Sequence, residues 1–284
     1  MAKTFPLFLS GHCKPACSVV SNLALVQYYL QMKDMLLAAT AAGLVMAATS
    51  ARAEDAANNG TDPTRLTTQA QANWERVDLK RGFVSDTLKL NYTVPVGEKR
   101  DWSIRYRLPL ASVNVLGNNS YALGDASVQA THVFGLSRKG GWVAQAEMVF
   151  DTAARDELGT GKNVFKAALI KAWFLSDGSI FAPALVHSES LWGDSRRSSV
   201  RATTLDLYYV PKLKDPRNLI TVDPSINMDW KSEKSFVGLA VTFGRVVGPA
   251  LGGTGIVSLK PSVFAGDGRP GGWGIEVGYK VLGF

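Results

Sequence analysis

The chain has 284 residues, 46% of them hydrophobic and 19% charged, with two cysteines and a formal net charge of +7. Four basic residues (Lys3, Lys14, Lys33, Arg52) and one acidic residue (Asp34) fall before Ala53, so 27 basic and 23 acidic side chains follow it, a balance of +4 with no basic run of five. That distribution argues against nucleic-acid binding, and Cys13 and Cys17, in CKPAC, make neither a disulfide framework nor a complete zinc knuckle.

Taken in chain order, residues 1–31 hold an apolar patch (VVSNLALVQYYL, 19–30) without secretory logic of its own. They read as an extension from a start site placed too far upstream, the alternative being an unusually long n-region. Residues 32–53 read as a secretory signal peptide. The apolar run 35–48 is shorter than the ~20 residues a spanning helix needs. Lys33 supplies the basic flank, diluted by Asp34, and Ala51-Arg52-Ala53 offers small residues for cleavage after Ala53. A soluble core helix is the competing reading. Beyond Ala53 no cysteine remains, which suits export into an oxidising compartment. Residues 54–81 form a polar tail with room for a first strand or a lumen plug; 54–69 are rich in Ala, Asn, Gly, Thr and Pro.

From about residue 87 to the end, period-two alternation recurs, broken by Gly, Asn, Asp, Ser and Pro. In 87–94, Leu88, Leu90, Tyr92 and Val94 share one face. In 102–110 the apolar face is Trp102, Ile104, Tyr106, Leu108 and Leu110. In 220–230 it runs from Ile220 to Trp230, in 237–243 from Val237 to Phe243, and in 273–281 from Trp273 to Val281. A period of two puts such sets on opposite faces of strands. Weaker strands are expected at 125–134, 142–150, 164–175, 179–190, 200–209 and 255–265, with a twelfth from 66–77, where alternation is poor.

A soluble sandwich uses strands of about 5–6 residues and turns its polar face outward. Strands here run to about 10 residues, the length a membrane barrel needs, with aromatics (Trp102, Phe134, Trp142, Tyr209, Trp230, Trp273) near strand ends. The fold class expected is therefore all-β: a transmembrane antiparallel up-and-down β-barrel over 82–284, of about 12 strands, with 10 as the alternative. The last strand ends in aromatic Phe284, which resembles the assembly signal of outer-membrane barrels. Phe284 is out of phase with Tyr279 and Val281, and a bulge at Gly283 would reset it.

Four landmarks resemble the outer-membrane transporters grouped as the MetA-pathway of phenol degradation β-barrel family. They are Tyr121-Ala-Leu-Gly-Asp125, similar to a GLGD turn; residues 149–162 (VFDTAARDELGTGK), similar to an apolar-PT…LGTGKW hairpin; Asp229-Trp230-Lys231 followed by FVGLAVTFGRVVG (236–248); and Gly272-Trp273 with the terminal aromatic strand. Asp151 and Asn163 depart from the family's usual Pro and Trp. The resemblance covers most of 82–284 and implies an outer-membrane barrel that moves small, often hydrophobic, molecules.

Among chemical motifs, Gly159-Thr-Gly-Lys162 lacks a phosphate loop's first glycine, because Asp156 stands there, and Asn163 replaces its Ser or Thr. A glycine-rich hairpin turn explains it better. His132 and His187 show no metal-binding spacing. The segment VHSESL (186–191) holds Ser, His and acid, as a barrel lipid hydrolase would. However, His187 and Glu189 share one strand face and Ser188 and Ser190 the other, a poor geometry for a nucleophile and its base. No enzyme activity, cofactor or metal is expected.

Strand phase assigns Lys89, Arg105, Arg107, Lys260 and Lys280 to the lumen as cations, and Asp125, Glu147, Asp206, Asp223, Asp229 and Glu276 as anions. Mixed signs favour a narrow, braced lumen over a single-sign selective ring. The function expected is a passive or gated conduit for small molecules, hydrophobic or aromatic ones among them. A plugged structural barrel is the alternative. The expected partners are outer-membrane lipid, the barrel-assembly machinery through the strand ending at Phe284, and a small-molecule substrate.

Overall fold

The computed structural model describes residues 59–116 and 120–284. The extension, the signal peptide with its cleavage after Ala53, and residues 54–58 lie outside the described residues. The strands, in chain order, are β1 (Gln69–Leu79), β2 (Val84–Val96), β3 (Trp102–Val113), β4 (Ala122–Leu123), β5 (Ser127–Ser137), β6 (Gly140–Val149), β7 (Lys162–Phe174), β8 (Ile180–Gly193), β9 (Arg201–Val210), β10 (Asn218–Asp229), β11 (Lys234–Ala250), β12 (Gly253–Ala265) and β13 (Gly271–Leu282).

Each long strand pairs antiparallel with its sequence neighbours, and β1 pairs with both β2 and β13, so the sheet closes on itself as a twelve-stranded barrel. The two-residue β4 is an extra piece on the end of β3. Closure leaves no unpaired edge, which is what a chain surrounded by hydrocarbon requires of its backbone. The poorly alternating first strand lies within the polar tail segment, at Gln69–Leu79. Both described termini lie at one end of the barrel, with connections as short as two residues there; the longest loops (114–126 and 150–161) are at the far end.

Alternation fixes which side chains face out. Register pairs Leu90 with Leu108, Tyr92 with Tyr106, Leu169 with Leu185 and Leu185 with Leu205. These side chains are widely exposed, Leu185 by 55% and Tyr106 by 49%. Exposed apolar area that runs around the whole sheet is a lipid-facing surface rather than an isolated patch. At the level of the short turns, Trp102 stacks on His132 (4.2 Å), His132 on Phe134 (5.6 Å) and Phe134 on Trp142 (6.5 Å). Lys171 Nζ lies 4.7 Å over the Trp142 ring, and Trp173 stacks on Phe181 (5.8 Å). Such a row of amphipathic rings is an interfacial girdle, and the ammonium over Trp142 adds a cation–π contact.

Two glycines sit where the backbone leaves no room for, or disfavours, a side chain. Gly140 opens β6 at φ 143, where a Cβ would collide with the Ala172 carbonyl oxygen of β7. Gly283 has φ 72, a left-handed conformation that glycine takes without steric cost, and its N–H donates to the Thr68 carbonyl (2.9 Å). That turn brings Phe284 to Tyr92 of the outer face, ring centroids 6.4 Å apart. The phase conflict in the sequence is thus relieved at Gly283, by a left-handed residue after β13.

Candidate functional site

The inward face carries the polar residues. Ser103, Gln129, Thr131, Glu147, Thr221 and Glu276 are all buried. Ionic side chains on this wall fall into two braced clusters. In the first, Lys89 Nζ bridges Glu75 (2.7 Å) and Glu276 (3.1 Å), Lys260 Nζ reaches Glu276 (3.4 Å), and Asn73 Nδ2 donates to Glu276 Oε1 (2.9 Å). In the second, Glu147 receives Arg107 Nη1 (3.0 Å), Lys166 Nζ (3.8 Å) and Ser127 Oγ (2.6 Å), while Arg107 Nε donates to Asn91 (3.2 Å). Pairs of this kind stiffen a wall that water alone would leave to like-charge repulsion.

Four lumen charges stand outside these clusters. Arg105 donates from Nε to Thr93 Oγ1 (3.1 Å), and its terminal nitrogens hold no further bond among the described residues. Among the described residues Lys280 reaches the Gly60 carbonyl, at 3.5 Å, and no carboxylate within ion-pair range. Asp206 pairs in register with Ser225, two residues from Asp223 on the adjacent strand, and Asp223 Oδ1 is buried with no hydrogen-bond partner among the described residues. By strand order the two cations flank β1 and β2, and the two carboxylates lie on the opposite side of the ring.

Between them runs the segment before β1. Asn59 and Asp62 each accept from the backbone and hydroxyl of the threonine two residues on, Thr61 and Thr64, forming two consecutive Asx turns. These turns hold residues 59–64 compact. The Thr61 carbonyl accepts from Tyr208 Oη of β9 (3.1 Å), the Gly60 carbonyl meets Lys280 of β13, and Thr64 Cγ2 lies 3.5 Å from where a Cβ on Gly141 of β6 would sit. β13, β9 and β6 are well separated around the ring, so the segment spans the lumen at the end that carries the termini. Thr61 and Thr64 are accordingly buried. Next to it, Leu219, Ile256 and Leu282 form a small apolar cluster.

The other mouth is organised by loops. Asp125 accepts from Ala153 N (3.2 Å), Thr160 N (2.8 Å) and Thr160 Oγ1 (3.1 Å). Arg197 Nη2 donates to the Gly159 carbonyl (2.6 Å) and Lys162 Nζ to the Asp194 carbonyl (2.6 Å). Arg196 hydrogen-bonds to Asp194 and holds its carboxyl down at about 2. A depressed carboxyl favours the folded loop above its ordinary value of 3.8, and that support is lost only as pH falls through about 2.

The structure thus places Lys89, Arg105, Arg107, Glu147, Asp206, Asp223, Lys260, Glu276 and Lys280 on the inward face of strands. Two expected lumen residues have other work. Asp125 precedes β5, and its carboxylate is taken up by the 150–161 loop. Asp229 ends β10, and its carboxylate accepts from Ser232 Oγ (2.7 Å) and Lys231 N (2.8 Å) in the turn that follows. Their spacing fits alternation, but each lies where alternation ends. Two lumen residues escaped the sequence reading. Glu75 lies in the strand with poor alternation, and Lys166 in a strand whose faces the pattern left unassigned.

His187 and Glu189 point outward with Arg201, and His187 Nδ1 meets Thr203 Oγ1 (3.0 Å). Ser188 and Ser190 alternate to the inward face, so the strand does not bring a serine to this histidine. Among the described residues no three His, Cys, Asp or Glu side chains converge as metal ligands. A groove of about 390 Å³ lies outside the lumen, on the lipid face beside Tyr92, Tyr106, Leu108 and Phe150.

No family model matches the chain, and no curated protein matches it in sequence. Its fold is similar to that of the COG4313 outer membrane channel from Pseudomonas putida F1, with a TM-score of 0.60, 9% identity, and coverage of 81% of this chain and 100% of that one. It is also similar to the NanC porin, with a TM-score of 0.51, 9% identity, and coverage of 76% and 99%. At such identities the likeness concerns architecture alone, the closed antiparallel β-barrel that those two outer-membrane structures share with this chain.

Proposed function

We propose that the chain is an outer-membrane conduit for small molecules, gated at the terminal end by residues 59–68. The observation that carries this reading is the combination of a charged, braced lumen with a polar segment that crosses it. Backbone carbonyls tie that crossing to the wall: Thr61 accepts from Tyr208 Oη (3.1 Å), Gly60 meets Lys280 Nζ (3.5 Å) and Thr68 accepts from Gly283 N (2.9 Å). Similarity of fold to two barrels described as a channel and a porin supports the same reading.

The finer assignment rests on sequence. The resemblance to MetA-pathway barrels supports hydrophobic or aromatic solutes as cargo. Export by a signal peptide cut after Ala53, and delivery to the assembly machinery through the strand ending at Phe284, complete the proposal. Phe284 on the outer face beside Tyr92 supports the latter, because an outward terminal ring is accessible from lipid. A plugged barrel without transport is the second reading, favoured by the crossing segment itself.

Proteoliposomes separate the two. The conduit reading expects uptake of labelled small solutes above protein-free liposomes, with a size cut-off. Uptake equal to the protein-free control for charged, polar and aromatic solutes alike would leave the plugged barrel.

A further inference from the structure

The lumen is divided by chemistry as well as by charge. Toward the terminal end of β7 and β8, beyond Lys166 and Ser188, the inward side chains are Ala168, Ile170, Ala172, Ala182, Ala184 and Val186, an apolar arc on the lumen wall. Register continues this arc through Val143 and Val133 on one side and ends at Asp206 on the other. By strand order β7 and β8 lie across the ring from β13, which carries Lys280, and the arc's other end, Val133 on β5, is on the strand paired with β3, which carries Arg105.

Those two cations are the inward positive charges on this wall without a carboxylate in ion-pair range among the described residues. Lys89, Arg107, Lys166 and Lys260 all have one. Register sets Arg105, through Thr93 and Gln69, level with Leu282, two residues beyond Lys280. Two neighbouring unneutralised cations attract an anion, and a guanidinium with both terminal nitrogens unbonded presents the planar fork that a carboxylate fits. Gln129 pairs in register with Arg105, and its Nε2 donates to Gln145 Oε1 (3.4 Å). The Gly60 carbonyl now at Lys280 is a weak neutral occupant that an anion would displace.

We infer that the lumen holds a binding site for a small amphiphilic monocarboxylate, its carboxylate on Arg105 and Lys280 and its apolar body against the arc of β7 and β8. The inference rests on the conduit reading for its biological meaning and names the class of solute the conduit takes. It also ties cargo to gate, because the anion competes with residue 60 of the crossing segment for Lys280.

Equilibrium binding of benzoate to the purified, detergent-solubilised chain tests it, with benzyl alcohol as the neutral isostere. Saturable benzoate binding is expected, with benzyl alcohol at least tenfold weaker. Arg105→Gln and Lys280→Gln should each weaken benzoate at least tenfold, and Arg105→Lys less than Arg105→Gln. Asp206→Asn should leave it unchanged or tighter. Heat-modifiable gel mobility reports whether each variant still forms a barrel. Equal binding of alcohol and acid, or full benzoate affinity in a folded Arg105→Gln/Lys280→Gln double variant, would overturn the site. Solute uptake measured in parallel keeps the two proposals apart: uptake without benzoate binding defeats this site alone, and benzoate binding without any uptake defeats the conduit.

Discussion

At the residue scale, Gly140 and Glu147 show how little freedom the wall has. Gly140 combines a φ that side chains rarely adopt with a carbonyl where its Cβ would go, so Gly140→Val should prevent closure of the β6–β7 seam. The expected readout is loss of the heat-modifiable folded band, with Gly141→Ala as a milder comparison, since the space there is bounded by the flexible ends of Leu136 and Thr64 as well as by backbone. Glu147 is 7% exposed, whereas its partners Arg107 and Lys166 are 32% and 35% exposed. Removal of a fully buried partner costs about 3–5 kcal/mol, but lumen water screens the two cations left behind. Glu147→Ala should therefore lower stability by about 1–3 kcal/mol, read as a shift of the denaturant midpoint in micelles. Glu147→Gln, which keeps an acceptor for Ser127, should cost less.

At the scale of elements, legibility followed the strength of alternation. β2, β3, β10, β11 and β13 declared both faces in the sequence, because each carries an unbroken set of apolar residues that must meet lipid. β1 was hard to read because its outward face begins with Ala70, Ala72 and Trp74 but ends with Arg76 and Asp78. Register explains that change: Arg76 lies opposite Asp86 and binds it (2.9 Å), a pair satisfied outside the lumen near the loops of the far end. Alternation also does not say where a strand stops, so Asp125 and Asp229 fit the phase of a wall that they border. Which lumen charges pair was out of reach as well, since Lys89, Glu75 and Glu276 meet only through closure of β1 on β13. The crossing segment was legible as polar tail and possible plug material, while its contacts depend on three strands remote in sequence. Those contacts make a prediction at this scale. Tyr208→Phe removes the hydroxyl that holds the Thr61 carbonyl but keeps the ring. It should raise protease sensitivity within residues 59–68 several-fold while the barrel remains heat-modifiable.

For the whole molecule, closure and the outward apolar surface make a membrane barrel, and the divided lumen is the ground on which the proposed conduit rests. Unneutralised cations on one side and carboxylates on the other impose a transverse field on anything that passes. The segment 59–68 lies across the lumen at the terminal end, and in the proposed reading it is the gate. The most direct measurement is single-channel conductance in planar bilayers, comparing the intact chain with a variant lacking residues 59–66. The expected result is brief, infrequent stepwise openings of the intact chain and sustained, larger steps once the segment is gone. If both proteins, inserted and heat-modifiable, stay silent at every voltage, or if both show the same steps, the crossing segment is not the gate of a conduit.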